Sequence, residues 1–252
     1  TPYTFLAWWT LIFELFDPSL LDRILLRRLC HMFNDSLKDS LNEVQGIFTV
    51  WPHHLHDSLN SLFRRLNLLH KYSPEKAPTI FFIRKGKHEV GSGRILEITY
   101  PMIIIGAGRE KTFIHGRGFH IKGKKQEGKK VVLKHMTSIG STGSGLLNDN
   151  GLSFVCDSLS FTQCRDSGVV VQNTKGKLIN CVITQCKDNG IHCGSNALIT
   201  LEGSQTKVAG NCEDCDYFDY YGLDSCFSSS TIHLHHPLTK ESVSVDNYDG
   251  QN

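Results

Sequence analysis

The sequence predicts a mainly β fold: a right-handed parallel β-helix solenoid with an N-terminal α-helical module and a capping helix. The main observation is an internal repeat, because residues 161–169 (FTQCRDSGV) recur as residues 183–191 (ITQCKDNGI), about 22 residues later. The repeats are rich in Val, Ile, Phe, Thr, Cys and Gly, which favour strands and tight bends. The competing solenoid, a leucine-rich repeat, requires Leu at several fixed offsets and a helical half-turn in each unit.

Equivalent residues of successive coils are expected to stack about 4.8 Å apart. The expected inward ladders are Leu159 over Cys181, Phe161 over Ile183, and Cys164 over Cys186. The expected outward or turn ladders are Gln163 over Gln185, and Asp166 over Asp188. Gly168 and Gly190 mark bends that need either a positive φ or the absence of a side chain.

The composition limits the class of protein. With 252 residues, of which 40% are hydrophobic, the chain can form one large core or two smaller ones. A net charge of +2 gives no reason to expect nucleic acid or a membrane surface as partner, and no apolar run reaches the roughly 18–20 residues that span a bilayer. Nine cysteines, several at repeat-equivalent positions, suit buried thiols in a reducing compartment, so we expect a cytoplasmic or nuclear protein.

Residues 1 to about 45 are predicted to be helical, with Asp17 and Pro18 ending one helix and starting the next. Residues 12–21 (IFELFDPSLL) and 26–34 (LRRLCHMFN) resemble an F-box, although the usual opening Leu-Pro of that family is missing. This resemblance implies docking onto the Skp-type adaptor of a cullin ubiquitin ligase. The residues implied to mix adaptor contacts with the module's own core are Leu15, Phe16, Pro18, Leu20, Leu21 and Leu29. The alternative is an amphipathic helical pair that simply packs on the solenoid.

One amphipathic helix is predicted between Val50 and Tyr72, and it is placed to cover the open end of the solenoid. Its apolar face comprises Leu55, Leu59, Leu62, Phe63, Leu66 and Leu69, and its polar face comprises Asp57, Asn60, Arg64, Arg65 and Lys71. Residues 73–78 are predicted to link the helical part, residues 1–72, to the β-helix, residues 79–245. We expect no metal at His53, His54 and His56, because no matching carboxylate or cysteine completes a ligand set there.

The strand-rich stretch from Thr79 includes residues 101–108 (PMIIIGAG) and 111–116 (KTFIHG). It resembles the opening of pectate-lyase-like β-helices, and the resemblance covers residues 79–245, about seven coils at this period. Residues 246–252 are predicted to be a disordered tail.

Enzymes of the pectate-lyase-like fold need grouped carboxylates, or Ca²⁺-binding aspartates with an Arg base. Neither set is found in the sequence, so we expect no catalytic residues and no cofactor.

An acidic and aromatic insertion interrupts the repeat and is the most distinctive candidate for substrate binding. Its candidate residues are Glu213, Asp214, Asp216, Tyr217, Asp219, Tyr220 and Tyr221. Such a loop suits a basic peptide, a sugar face or Ca²⁺. Cys212 and Cys215 would bind Zn²⁺ only if two further ligands such as Cys226 or Cys193 converged on them, so we expect no metal site.

These observations favour a non-enzymatic interaction protein, in which an F-box-type module presents the β-helix as the substrate-recognition surface of a cullin-type ubiquitin ligase. A carbohydrate-binding or polysaccharide-degrading β-helix whose N-terminal helices act only as a cap is the alternative. A repeat scaffold that binds nothing through its N-terminus is the third possibility.

Overall fold

The computed structural model describes residues 48–52, 56–91, 93–212, 221–227 and 229–247, which belong to one compact unit beginning at Phe48. The F-box-like residues and residues 213–220 of the insertion therefore lie outside the described residues. Helix α1 is Leu59–Tyr72, helix α2 is Lys240–Val243, and a short 3-10 helix is Pro74–Lys76. Neither described α-helix has the length and apolar character that crossing a membrane requires.

The rest of the unit consists of short strands. The strands are β1 Phe48–Trp51, β2 Ile80–Ile83, β3 Gly86–Glu89, β4 Leu96–Ile98, β5 Ile103–Gly106, β6 Thr112–His115, β7 Phe119–Ile121, β8 Lys130–Lys134, β9 Thr137–Ile139, β10 Leu146–Asp149, β11 Ser153–Asp157, β12 Ser160–Thr162, β13 Val169–Gln172, β14 Lys175–Ile179, β15 Val182–Thr184, β16 Ile191–Gly194, β17 Leu198–Glu202, β18 Lys207–Ala209, β19 Leu223–Ser225, β20 Thr231–Leu234 and β21 Ser244–Val245. Each coil contributes one strand to each of three parallel sheets.

The three sheets confirm the predicted parallel β-solenoid. Sheet A has eight strands in the order β1-β2-β5-β8-β11-β14-β17-β20, and sheet B has seven in the order β3-β6-β9-β12-β15-β18-β21. Sheet C has six in the order β4-β7-β10-β13-β16-β19, so the chain makes about six complete turns rather than seven. The core is a continuous column of apolar side chains inside the three sheets.

The structure confirms the inward ladders and one of the two predicted turn ladders. Phe161 pairs with Ile183 in register and both are fully buried, as are Leu159 and Cys181. Cys164 and Cys186 are also buried. The turn ladder is confirmed at Gln163 and Gln185, which adopt φ values of +56° and +57° and face each other at 3.4 Å between Nε2 and Oε1.

Close packing of successive coils accounts for the repeated glycines. Gly168 and Gly190 do not have positive φ values in the structure; instead, another coil lies against each α-carbon. A Cβ atom at Gly168 would lie 2.3 Å from Ile183 Cγ2 and 2.8 Å from the carbonyl oxygen of Gly190. Of the two reasons considered for these bends, the absence of a side chain is the correct one.

We expect Gly168→Ala to lower the free energy of unfolding by about 1–3 kcal/mol, because the added methyl overpacks a site bounded partly by backbone. Urea denaturation followed by circular dichroism measures the change. Gly143→Ala is the matched control, since its Cβ would meet nothing closer than 3.5 Å. Equal stability of the two variants would contradict the close-packing explanation.

Helix α1 covers the first coil, as predicted for a cap. Leu59, Leu62, Phe63 and Leu66 are buried, and the Phe63 ring packs edge-on against Phe81 with centroids 5.0 Å apart. The helix begins at Leu59 rather than near Val50, since the Ser58 side chain accepts a hydrogen bond from the Ser61 N–H.

The solenoid begins before the predicted residue 79. Strand β1 pairs in parallel with β2 along its whole length, from Phe48 beside Ile80 to Trp51 beside Ile83. Along the chain, helix α1 therefore comes between β1 and β2, which are neighbouring strands of sheet A. Residues 73–78 connect parts of one unit rather than two domains. At the other end, Asn247 is 3% exposed and accepts from the Asn211 N–H, so the last coil reaches two residues into the predicted disordered tail.

Two asparagines of α1 form hydrogen bonds with main-chain carbonyl groups at the edge of sheet C. Asn60 Nδ2 donates to the Ile95 carbonyl at 2.9 Å, and Asn67 Nδ2 donates to the Glu97 carbonyl at 2.8 Å. Asn67 Oδ1 also accepts from the Thr99 hydroxyl at 3.0 Å. Asn60 was predicted on the solvent face, but it faces β4 because the open sheet edge needs hydrogen-bond partners.

Replacing Asn67 with Ala is expected to lower the free energy of unfolding by about 1–3 kcal/mol, since a partly buried carbonyl and hydroxyl lose their partner. Thermal and urea unfolding of the intact chain measure the effect. Arg65→Ala, on the exposed face of the same helix, should change stability by less than about 0.5 kcal/mol. A neutral Asn67→Ala would show that the cap does not depend on these bonds.

Candidate functional site

The outer face of sheet C carries two rows of side chains at its last coils. Successive residues of a strand point to opposite faces, so residues paired across strands share a row. Val170, His192 and Asp224 are paired in one row, and Gln172 is paired with Gly194 in the next. Continuing that register places Cys226 beside Gly194. His192, Asp224 and Cys226 together form what we call the histidine–cysteine cluster.

The cluster has a defined order of contacts around one imidazole ring. His192 Nδ1 lies 2.6 Å from Asp224 Oδ2, and His192 Nε2 lies 3.6 Å from Cys226 Sγ. A carboxylate accepts but does not donate, so Nδ1 carries the hydrogen of this contact, and Nε2 is the ring nitrogen that faces the thiol. The side chains of His192 and Asp224 are 23% and 20% exposed, which leaves the cluster in reach of solvent.

Neighbouring groups keep Cys226 in its thiol form. Partial burial and the nearby Asp224 carboxylate raise the pKa of Cys226 above its ordinary value. Asn189 Nδ2 lies 3.4 Å from Asp224 Oδ2 and adds a weak second contact to that carboxylate. The cluster therefore combines a carboxyl group, an imidazole and a thiol, which are hydrogen-bonding groups and also the donor types that soft or borderline metal ions prefer.

Four other carboxylates of the described solenoid each face a basic side chain. These pairs are Glu97 with Lys122, Asp149 with His120, Asp157 with Lys134, and Glu202 with Lys177. Each pair joins neighbouring coils, and the His120–Asp149 pair, at 2.7 Å, lies on the same face of sheet C as the cluster. None of these pairs supplies the two adjacent carboxylates that glycoside hydrolysis requires.

The predicted substrate-binding loop joins the solenoid beside the cluster. Its residues 213–220 lie outside the described part of the chain, whereas Tyr221 is described: its N–H donates to Asn189 Oδ1 at 2.6 Å. Asn189 thus links the end of the loop to Asp224. The predicted adaptor-contacting residues, which are Leu15, Phe16, Pro18, Leu20, Leu21 and Leu29, all precede the described unit.

Of the cysteines considered from the sequence for Zn²⁺, Cys215 lies outside the described residues, whereas Cys193, Cys212 and Cys226 are described. Cys193 is fully buried, and its Sγ donates to the carbonyl oxygens of Ala197 and Thr231 at 3.5 and 3.4 Å. Cys212 is also buried. Cys226 alone of these three points to the outer face, where it meets His192.

Sequence analysis missed the cluster, although the repeat contains its signal. Gly222 and Leu223 align with Gly190 and Ile191, so the same alignment carried one residue further places Asp224 over His192. The contact was overlooked because these residues are 32 positions apart, with the insertion between them.

Comparison with protein-family models, with curated proteins and with solved structures found no match for this chain. The parallel pairing of its strands establishes the solenoid on its own. Its function is therefore inferred from its residues and their geometry.

Iodoacetamide is expected to modify Cys226 in the folded protein while the six other described cysteines stay protected, because Cys156, Cys164, Cys181, Cys186, Cys193 and Cys212 are buried. Tryptic peptide mapping by mass spectrometry identifies each modified thiol. Labelling in urea, where all of them should react, is the control. Because the raised pKa of Cys226 slows its alkylation, the rates of the seven thiols are compared. A rate for Cys226 no higher than those of the buried cysteines would contradict its placement on the outer face.

Proposed function

We propose that the protein is a non-enzymatic interaction protein of the F-box type. Its F-box-like residues 12–34 dock onto the Skp-type adaptor of a cullin ubiquitin ligase, and the solenoid holds the substrate. The F-box-like pattern of spaced apolar residues around Asp17 and Pro18 supports the first part. The solenoid supports the second, because insertions on a stacked repeat project from a rigid surface and often bind partners.

The observation that carries the proposal is the cap of the first coil. Solenoids need a cap because the terminal coil otherwise exposes its core, and the alternative role for the N-terminal helices was to supply one. Helix α1 already buries Leu59, Leu62, Phe63 and Leu66 there. The apolar side chains of residues 12–34 are therefore not required as a lid, which favours a partner of their own.

The C-terminal end of sheet C is the proposed substrate-binding surface. The insertion contributes four carboxylates and several tyrosines between Cys212 and Gly222. Phe227, which follows the cluster, is 71% exposed and is one of few large apolar side chains so exposed among the described residues. Carboxylates beside aromatic platforms suit a basic segment of a substrate protein.

The test is binding of a purified Skp-type adaptor to the intact chain, measured by calorimetry and by a pulldown. We expect binding by the natural chain, weaker binding by Pro18→Ala, and a loss of at least tenfold in affinity for Leu21→Asp, because a buried charge disrupts an apolar contact. Glu241→Gln, at a fully exposed site of α2, is the matched control that leaves binding unchanged.

Failure of the intact, folded chain to bind the adaptor would overturn the proposal. Circular dichroism and thermal melting establish that the solenoid is folded in each variant. Leu21 lies outside the solenoid, so the melting transition of the solenoid in the Leu21→Asp variant should match that in the natural chain.

A further inference from the structure

We propose that His192 and Cys226 bind a Zn²⁺ ion on the outer face of sheet C, with Asp224 holding the imidazole in place. One ligand atom from each of these three residues lies within 4.8 Å of the other two. His192 and Asp224 are paired across β16 and β19, and Cys226 follows β19 directly. The Cys226 N–H donates to the Cys193 carbonyl at 3.0 Å, so main-chain hydrogen bonds hold all three positions. This site is additional to the proposed adaptor and substrate contacts.

The distance between the two donor atoms fits a tetrahedral ion. Zn–N bonds of about 2.0–2.1 Å and a Zn–S bond of about 2.3 Å at a tetrahedral angle place nitrogen and sulfur about 3.6 Å apart. His192 Nε2 and Cys226 Sγ are 3.6 Å apart. The two donor atoms are therefore already at the separation that coordination requires.

The carboxylate lies where a metal-bound histidine needs it. Zn²⁺-binding imidazoles usually donate their other N–H to a carboxylate, which fixes the ring and makes the free nitrogen a better ligand. Asp224 Oδ2 occupies that position, 2.6 Å from His192 Nδ1. Asp224 is thus a positioning residue, and it also supplies negative charge close to the ion.

Gly194 keeps the space between the two ligands open. A Cβ atom there would lie 3.2 Å from His192 Nε2 and 3.3 Å from Cys226 Sγ. The two remaining coordination positions face solvent and suit water or a donor atom of a bound molecule. On coordination, the Cys226 thiol releases its proton to solvent and binds as a thiolate.

A second histidine–carboxylate pair on the same face provides an internal comparison. His120 Nε2 lies 2.7 Å from Asp149 Oδ1, and no cysteine of the described residues forms a three-ligand group with that pair. Both pairs bridge neighbouring strands of sheet C. A site that depends on thiolate coordination should therefore form at His192 and not at His120.

The experiment titrates Co²⁺, a spectroscopic substitute for Zn²⁺, into the untagged, metal-free, reduced full chain. We expect one equivalent to produce a thiolate-to-cobalt charge-transfer band that Zn²⁺ abolishes by competition. Cys226→Ser should remove the band, and Asp224→Asn should weaken Zn²⁺ binding about 10- to 100-fold. His120→Gln, the matched control, should leave both unchanged.

Gly194→Ala tests the site without removing a donor. The added methyl should weaken Zn²⁺ binding at least tenfold, while circular dichroism shows that the solenoid is retained. The proposal is overturned if no charge-transfer band appears, or if the band survives Cys226→Ser but is lost with Cys215→Ser. Adaptor binding by the same variants is measured separately and is expected to be unaffected, so the two proposals fail independently.

Discussion

Parallel main-chain pairing between successive coils is the constraint on which the structure depends. Each inner strand is hydrogen-bonded to the coil before it and to the coil after it, so residues about 22 positions apart are held in contact. Inward ladders such as Phe161 over Ile183 follow directly from this register. So does the need for glycine at the bends, where one coil approaches the α-carbon of the next.

The same constraint makes the two ends of the solenoid different from its middle. At the first coil, β4 is the edge of sheet C among the described residues, and α1 supplies Asn60 and Asn67 as partners for the carbonyl groups of Ile95 and Glu97. At the last coils, the insertion interrupts the repeat and is followed by β19. The middle coils repeat regularly, whereas the cap helix at one end and the insertion at the other are the features that distinguish this molecule.

The histidine–cysteine cluster shows how the stacking of coils brings polar side chains from distant parts of the sequence together. His120 and His192 occupy the same outer row of sheet C, and each faces a carboxylate. Cys226, close to the insertion, adds a thiol to the second pair only. The proposed substrate-binding surface and the proposed metal site therefore share one end of the solenoid, while the core beneath them stays regular.

The sequence by itself determined the period, the strand-rich units, the inward ladders and the presence of a cap, because all of these depend on residue type at a fixed spacing. Only the tertiary structure decided that β1 precedes α1, that Asn60 faces a sheet edge, and that His192 meets Asp224 and Cys226. Edge partners and contacts across an insertion depend on which coil lies next to which. A local pattern does not contain that information, because the stacking of whole coils brings distant residues together.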